Sequence, residues 1–177
     1  MLNLPRNVWI LAICLALFMS LSVFIVFVGG ILGNELADSK SLSTLPVAAI
    51  VVGTAVSIFP VIRLMSVFGR KTVFLMICIY SIALLGLSAF AIITGSFLIF
   101  CLSSFLLGAT VATMNQFRFA AIESVSEEQR ATATAIVLLG GLVSAYLGPE
   151  VATIGKEIFA INFVGSYILL GLLFLIA

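Results

Sequence analysis

Charged side chains divide this chain into long stretches that contain none. Uncharged, mainly apolar runs occupy residues 8–33, 45–62, 72–94, 97–117, 131–149 and 158–177. An α-helix rises about 1.5 Å per residue, so crossing the hydrocarbon core of a bilayer takes about 20 apolar residues. Every run is of that order, and none alternates apolar with polar positions as a barrel strand would. The pattern predicts an all-α integral membrane protein, a single bundle of six transmembrane helices filling residues 1–177. The first run, 26 residues long, exceeds the apolar region of a signal peptide, typically about 7–15 residues. It therefore reads as a retained first helix.

Composition sharpens this picture. The chain is 63% apolar and 8% charged, against about 45–50% and about 25% for a soluble domain. Its partner is the lipid bilayer, and a net charge of +1 gives no electrostatic footprint for nucleic acid. Lys and Arg are uneven between the two sets of loops. Arg6, Arg63, Arg70, Lys71, Arg118 and Arg130 fall on one side, Lys40 and Lys156 on the other. The positive-inside bias then places both termini in the cytoplasm, as in a multi-pass protein of the cell membrane.

Local signals mark the boundaries. Ser126-Glu127-Glu128-Gln129 has the form of a capping box, predicting that the fifth helix starts near Glu127. Gly148-Pro149 predicts a stop or kink at its far end. Thr94-Gly95-Ser96 leaves only a tight turn between the third and fourth helices, which must be antiparallel neighbours.

Candidate chemistry is sparse. The chain has no histidine, which excludes Ser-His-Asp and Cys-His nucleophile systems and HExxH zinc sites. No phosphate-loop or dinucleotide-binding glycine motif occurs. Cys14, Cys78 and Cys101 lie inside apolar runs and form no CxxC pair, so neither a metal centre nor a cofactor is expected. The residues point to no enzyme. Amides are costly in hydrocarbon, so Asn115 and Gln116 should face the bundle interior or a wet cavity. With Tyr146 they are candidates for lining a solute cavity, or for bonding neighbouring backbone. A cavity so poor in charge suits a neutral or amphiphilic solute. Glu35, Asp38 and Glu150 lie near the outer helix ends, where loop solvation accounts for them.

The segment Arg63-Leu64-Met65-Ser66-Val67-Phe68-Gly69-Arg70-Lys71, between the second and third spans, resembles the loop signature G-x-L-A-D-R-x-G-R-R/K of the major facilitator superfamily. Leu64 and Gly69-Arg70-Lys71 match; Ile62, Ser66 and Val67 stand where the family has Gly, the acid and the base. Gly140, Ser144 and Gly148, closed by Pro149, resemble the small-residue and Gly-Pro signature of the fifth helix in many facilitator proteins. The stretch from Gln116 to Glu123 and the Leu-Gly-Pro-Glu ending at Glu150 look like a bacterial subgroup, which implies an inner-membrane location.

The resemblance implies the N-terminal half of a twelve-span secondary transporter working by alternating access. This chain would be a fragment or truncated copy, and its partner a second six-helix half in the same full-length chain or a self-paired copy. Gly69 would make a tight turn, and Arg70 and Lys71 would be cytoplasmic gate cations. Their partners would be Arg118 and Glu123, with Glu127 or Glu128. Gly140, Ser144, Gly148 and Pro149 would form a hinge or interface, the second and fifth helices meeting the other half. The cargo would be a small solute, with proton coupling open. The rival reading is a six-span assembly or structural protein that transports nothing.

Overall fold

A computed structural model describes residues 4–177, and its regular elements are all helical. They are α1 (Arg6–Leu36), α2 (Leu45–Phe68), α3 (Arg70–Ile93), α4 (Phe97–Met114), α5 (Phe117–Glu123), α6 (Arg130–Gly155) and α7 (Val164–Ile176), with single 3₁₀ turns at Lys40–Leu42 and Glu127–Gln129. Five stretches are long and apolar enough to cross a membrane, and α7 is a shorter apolar helix. The fold is a membrane helix bundle, which keeps every backbone donor and acceptor paired within its own segment.

Glycines set the sharpest turns. Gly69, at φ 78° and ψ 154°, is the only residue between α2 and α3. Few residues other than glycine tolerate that conformation. Gly95, at φ 66°, turns α3 into α4, and the Ser96 hydroxyl caps the new helix by accepting from the Ile99 N–H at 3.5 Å.

Several helix ends depart from the sequence expectation. α2 continues past 62 to Phe68, so Arg63 and Ser66 are helical rather than looped. The Ser66 hydroxyl donates to the Arg63 carbonyl at 2.8 Å and caps nothing. The fourth run breaks at Asn115–Gln116, and α5 follows as a separate short helix. The Ser126 side chain makes no cap bond, a 3₁₀ turn intervenes, and α6 begins at Arg130 rather than near Glu127. Nor does Pro149 end α6, which runs on to Gly155. Proline only removes the donor that would have met the Ala145 carbonyl, and the Thr153 hydroxyl bonds the Pro149 and Glu150 carbonyls at 3.0 Å each. Residues 156–163 form a turn instead of a helix, so the last helix starts at Val164 and not near 158.

Two seams bring backbones together. α6 lies along α1, where a methyl group on Gly140 would run into the Ala12 carbonyl and one on Gly148 would lie 2.8 Å from the Val23 Cβ. α2 lies along α4, where Gly53 meets the Phe105 carbonyl and Gly108 meets the backbone of Gly53 and Thr54. Such close approach is how helices associate in lipid, where apolar burial gives no advantage. α3 is joined to α4 by hydroxyls: Tyr80 donates to the Leu106 carbonyl at 3.1 Å, Ser81 and Thr110 share a bond of 2.7 Å, and Ser88 donates to Ser103 at 2.8 Å. At the centre, the buried Tyr167 ring stands edge-on to Phe24 with centroids 4.9 Å apart. Its hydroxyl has no hydrogen-bond partner among the described residues.

Candidate functional site

The charges at one end of the bundle converge on Arg70. Gly69 starts α3 so that Arg70 is its first residue. From there the guanidinium donates to the Glu123 carboxylate on α5 at 2.6 Å and, with its other nitrogen, to the Gln116 carbonyl at 3.4 Å. The side chains are 32% and 60% exposed, so solvent screens the pair and its worth is about 0–1 kcal/mol. Its value is therefore positional: it ties the start of α3 to the break between α4 and α5. Behind it lies a cavity of about 660 Å³ whose lining includes Asn7, Lys71, Phe74, Phe117 and Glu123. Phe74 and Phe117 stack there at 4.4 Å.

The other expected gate residues do not join this ion pair. Lys71 is exposed on the cavity rim. Arg118 is exposed, lies over the Phe119 ring at 4.8 Å, and makes no ion pair among the described residues. Glu127 pairs with its neighbour Arg130 at 3.1 Å, not with the α2–α3 junction.

The small-residue stripe has a different neighbour from the one expected. Gly140, Ser144 and Gly148 are buried against α1 of this same bundle, and the Ser144 hydroxyl donates to the Gly141 carbonyl at 2.6 Å. The stripes of α2 and α4 likewise face each other through Gly53 and Gly108. Pro149 lies within a continuous helix.

The three candidates for a solute cavity are not brought together. Asn115 and Gln116 form the turn at the Arg70 end, Asn115 exposed and Gln116 holding Arg70 by its backbone. Tyr146 lies 16 residues into α6, about 24 Å from Arg130, and is 68% exposed. Sequence reasoning missed a concave wall of about 290 Å³ between α1, α2 and α4, where Ser22 and Thr54 bring hydroxyls to a surface of Val26, Ile50, Ala55 and Val111. The signal was present in principle: both hydroxyls lie mid-span, but Thr54 satisfies its own on the Ile50 carbonyl at 2.7 Å. Among the described residues no cluster is suited to a metal ion, and the three cysteines are free thiols.

A bundle of long apolar helices, with an ion pair at one end and an uncharged concave wall within, is that of a multi-pass membrane protein. The chain belongs to the Major Facilitator Superfamily, whose family model matches residues 8–177. It is 34% identical over 173 residues to the riboflavin transporter RfnT of Brucella anthropi, covering 95% of this chain and 43% of that protein. Two Bacillus subtilis proteins, the uncharacterized MFS-type transporters YddS and YdeG, are 30% and 31% identical. Those alignments cover 86% and 73% of this chain, and 36% and 30% of the two proteins. The chain thus spans less than half the length of these curated relatives. No solved structure matches it.

Proposed function

We propose that this chain is the N-terminal six-helix half of a secondary transporter that moves a small, uncharged or amphiphilic solute by alternating access. The observation carrying this reading is its match along nearly its whole length to a riboflavin transporter. The physical character of the bundle supports it. The wall between α1, α2 and α4 offers hydroxyls and apolar surface but no charge, which suits a neutral solute with hydrogen-bonding groups better than a phosphorylated one. The Arg70–Glu123 pair is the cytoplasmic latch, and its modest strength lets it open and close at little cost. Both termini are cytoplasmic in the cell membrane, by the excess of Lys and Arg on that side. The second half meets the outer faces of α1, α2 and α6, where Trp9, Ile13, Phe59 and Leu142 are exposed.

Uptake of labelled riboflavin into cells lacking their own importer tests the reading. The gene at its native length should confer saturable uptake, and Arg70→Ala should lower it. No uptake of riboflavin or of related neutral heterocycles would overturn the solute class. A native product no larger than this chain, shown by an N-terminal tag, would overturn the two-half arrangement and favour the non-transporting assembly.

A further inference from the structure

A serine or threonine inside a helix commonly donates its proton to a carbonyl three or four residues back. Ser20, Thr54, Ser104 and Thr113 all do so. Ser22 does not: it makes no hydrogen bond among the described residues. It is half-buried and, with Thr54, lines the concave wall between α1, α2 and α4. Ser22 lies 16 residues after Arg6 and 14 before Leu36, and Thr54 lies 9 after Leu45 and 14 before Phe68. At 1.5 Å per residue, both are within about 4 Å of the middle of their helices. An unpaired hydroxyl at that depth is costly in hydrocarbon, so the wall faces water or solute and not lipid. The two groups also differ in what they offer. Thr54 has given its proton to the Ile50 carbonyl at 2.7 Å and can only accept, whereas the Ser22 proton is free to be donated. Around them, Val26, Ile50, Ala55 and Val111 present apolar surface without a charge.

We propose that Ser22 and Thr54 are specificity-determining residues of this half: Ser22 donates to an acceptor on the solute, Thr54 accepts from a donor beside it, and the apolar wall takes the face of a ring. This rests on the transport reading above and narrows it, from neutral solutes at large to those with an amide, lactam or imide edge. Riboflavin carries such an edge, an N–H between two carbonyls. A pair of hydroxyls suits it for two reasons. Neither group is ionised, so no buried charge is left uncompensated when the solute leaves. Each position also rejects a solute that lacks its counterpart, because a polar group would then be covered and unpaired. A phosphate ester would find one donor on this wall and no cation.

The test compares uptake of riboflavin and of 3-methylriboflavin, which lacks that N–H, by the native-length protein in liposomes. At low concentration the wild type should prefer riboflavin by about three- to tenfold, the usual worth of one hydrogen bond. Thr54→Val should abolish the preference by slowing riboflavin alone. Ser22→Ala should slow both solutes by a similar factor and leave the preference intact. A preference that survives Thr54→Val, or a Ser22→Ala protein as fast as the wild type, overturns the assignment. A second measurement needs no solute. With Cys14→Ser, Cys78→Ser and Cys101→Ser in place, Ser22→Cys should react with a small charged methanethiosulfonate in water. Ile79→Cys, at a position 72% exposed on α3 and outside that wall, should not. An unreactive Ser22→Cys takes the wall off the solute path and overturns the proposal whether or not riboflavin moves. If Ser22→Cys reacts but riboflavin is not carried, the site stands and the riboflavin reading fails.

Discussion

The seam between α1 and α6 can be tested with two adjacent glycines. Gly140 faces α1, where a methyl group would run into the Ala12 carbonyl and lie 3.3 Å from the Ala16 nitrogen. Gly141, about 100° further round the helix, would bring its methyl only to the flexible Met19 sulfur at 3.5 Å, an ordinary contact. Gly86 and Gly171 have nothing within 4 Å. Alanine in place of a helical glycine gains up to about 1 kcal/mol from backbone entropy. At Gly140, overpacking against rigid backbone costs about 1–3 kcal/mol, for a net loss of about 1 kcal/mol. Gly140→Ala and Gly86→Ala should therefore differ by about 2 kcal/mol, or about 4–8 °C in Tm for a chain of this size. The assay is thermal unfolding in detergent followed by a thiol-reactive fluorophore, since Cys14, Cys78 and Cys101 are partly buried and become reactive on unfolding. Gly141→Ala and Gly171→Ala should track Gly86→Ala. Equal melting of Gly140→Ala and Gly86→Ala would refute a backbone-on-backbone seam.

Other consequences are open to the same thermal assay. Gly69→Ala forces a side chain into a backbone region reserved for glycine, a cost of about 1–3 kcal/mol, and should lower Tm; no change would mean that the α2–α3 joint adopts another conformation. Tyr167→Phe removes a buried hydroxyl that has no partner among the described residues and should stabilise the bundle by about 1 kcal/mol, whereas a loss would reveal a bond made through water. A double-mutant cycle of Ser81→Ala and Thr110→Ala should show a coupling of about 0.6 kcal/mol, the usual worth of such a bond between membrane helices.

What the sequence made legible follows from its physics. Charge-free runs long enough to cross the bilayer correspond to α1 to α4 and α6, because nothing else makes so apolar a segment stable. Gly69 and Gly95 announced their turns, since each must hold a positive φ. Helix ends were harder to read. Arg63 suggested a loop, yet an arginine at a helix end can extend its head to the interface while the backbone stays helical. Pro149 suggested a stop, but a helix in lipid tolerates proline where neighbouring groups take up the freed carbonyl. The final run hid its turn because residues such as Ile158, Phe159 and Ile161 are as apolar as a span. The stripe at Gly140, Ser144 and Gly148 announced a flat face but not its neighbour: spacing records that backbones approach, not which helix arrives. Asn115 and Gln116, read as lining a cavity or bonding neighbouring backbone, lie where α4 ends. The Arg70–Glu123 pair was readable as residues, but the choice of Glu123 over Glu127 depended on α5, which no periodicity revealed.

The one-residue joint at Gly69 leaves the chain no slack where α2 hands over to α3. α2 is held to α4 at Gly53 and Gly108, α4 is tied to α3 by three hydroxyl bonds, and α3 returns to the start through Gly69. The three helices form a closed mechanical linkage. A push on the exposed flank of α2 cannot be absorbed in a loop, because none exists; it is delivered to the residue after the joint. That residue is Arg70, whose guanidinium passes the load on to Glu123 of α5.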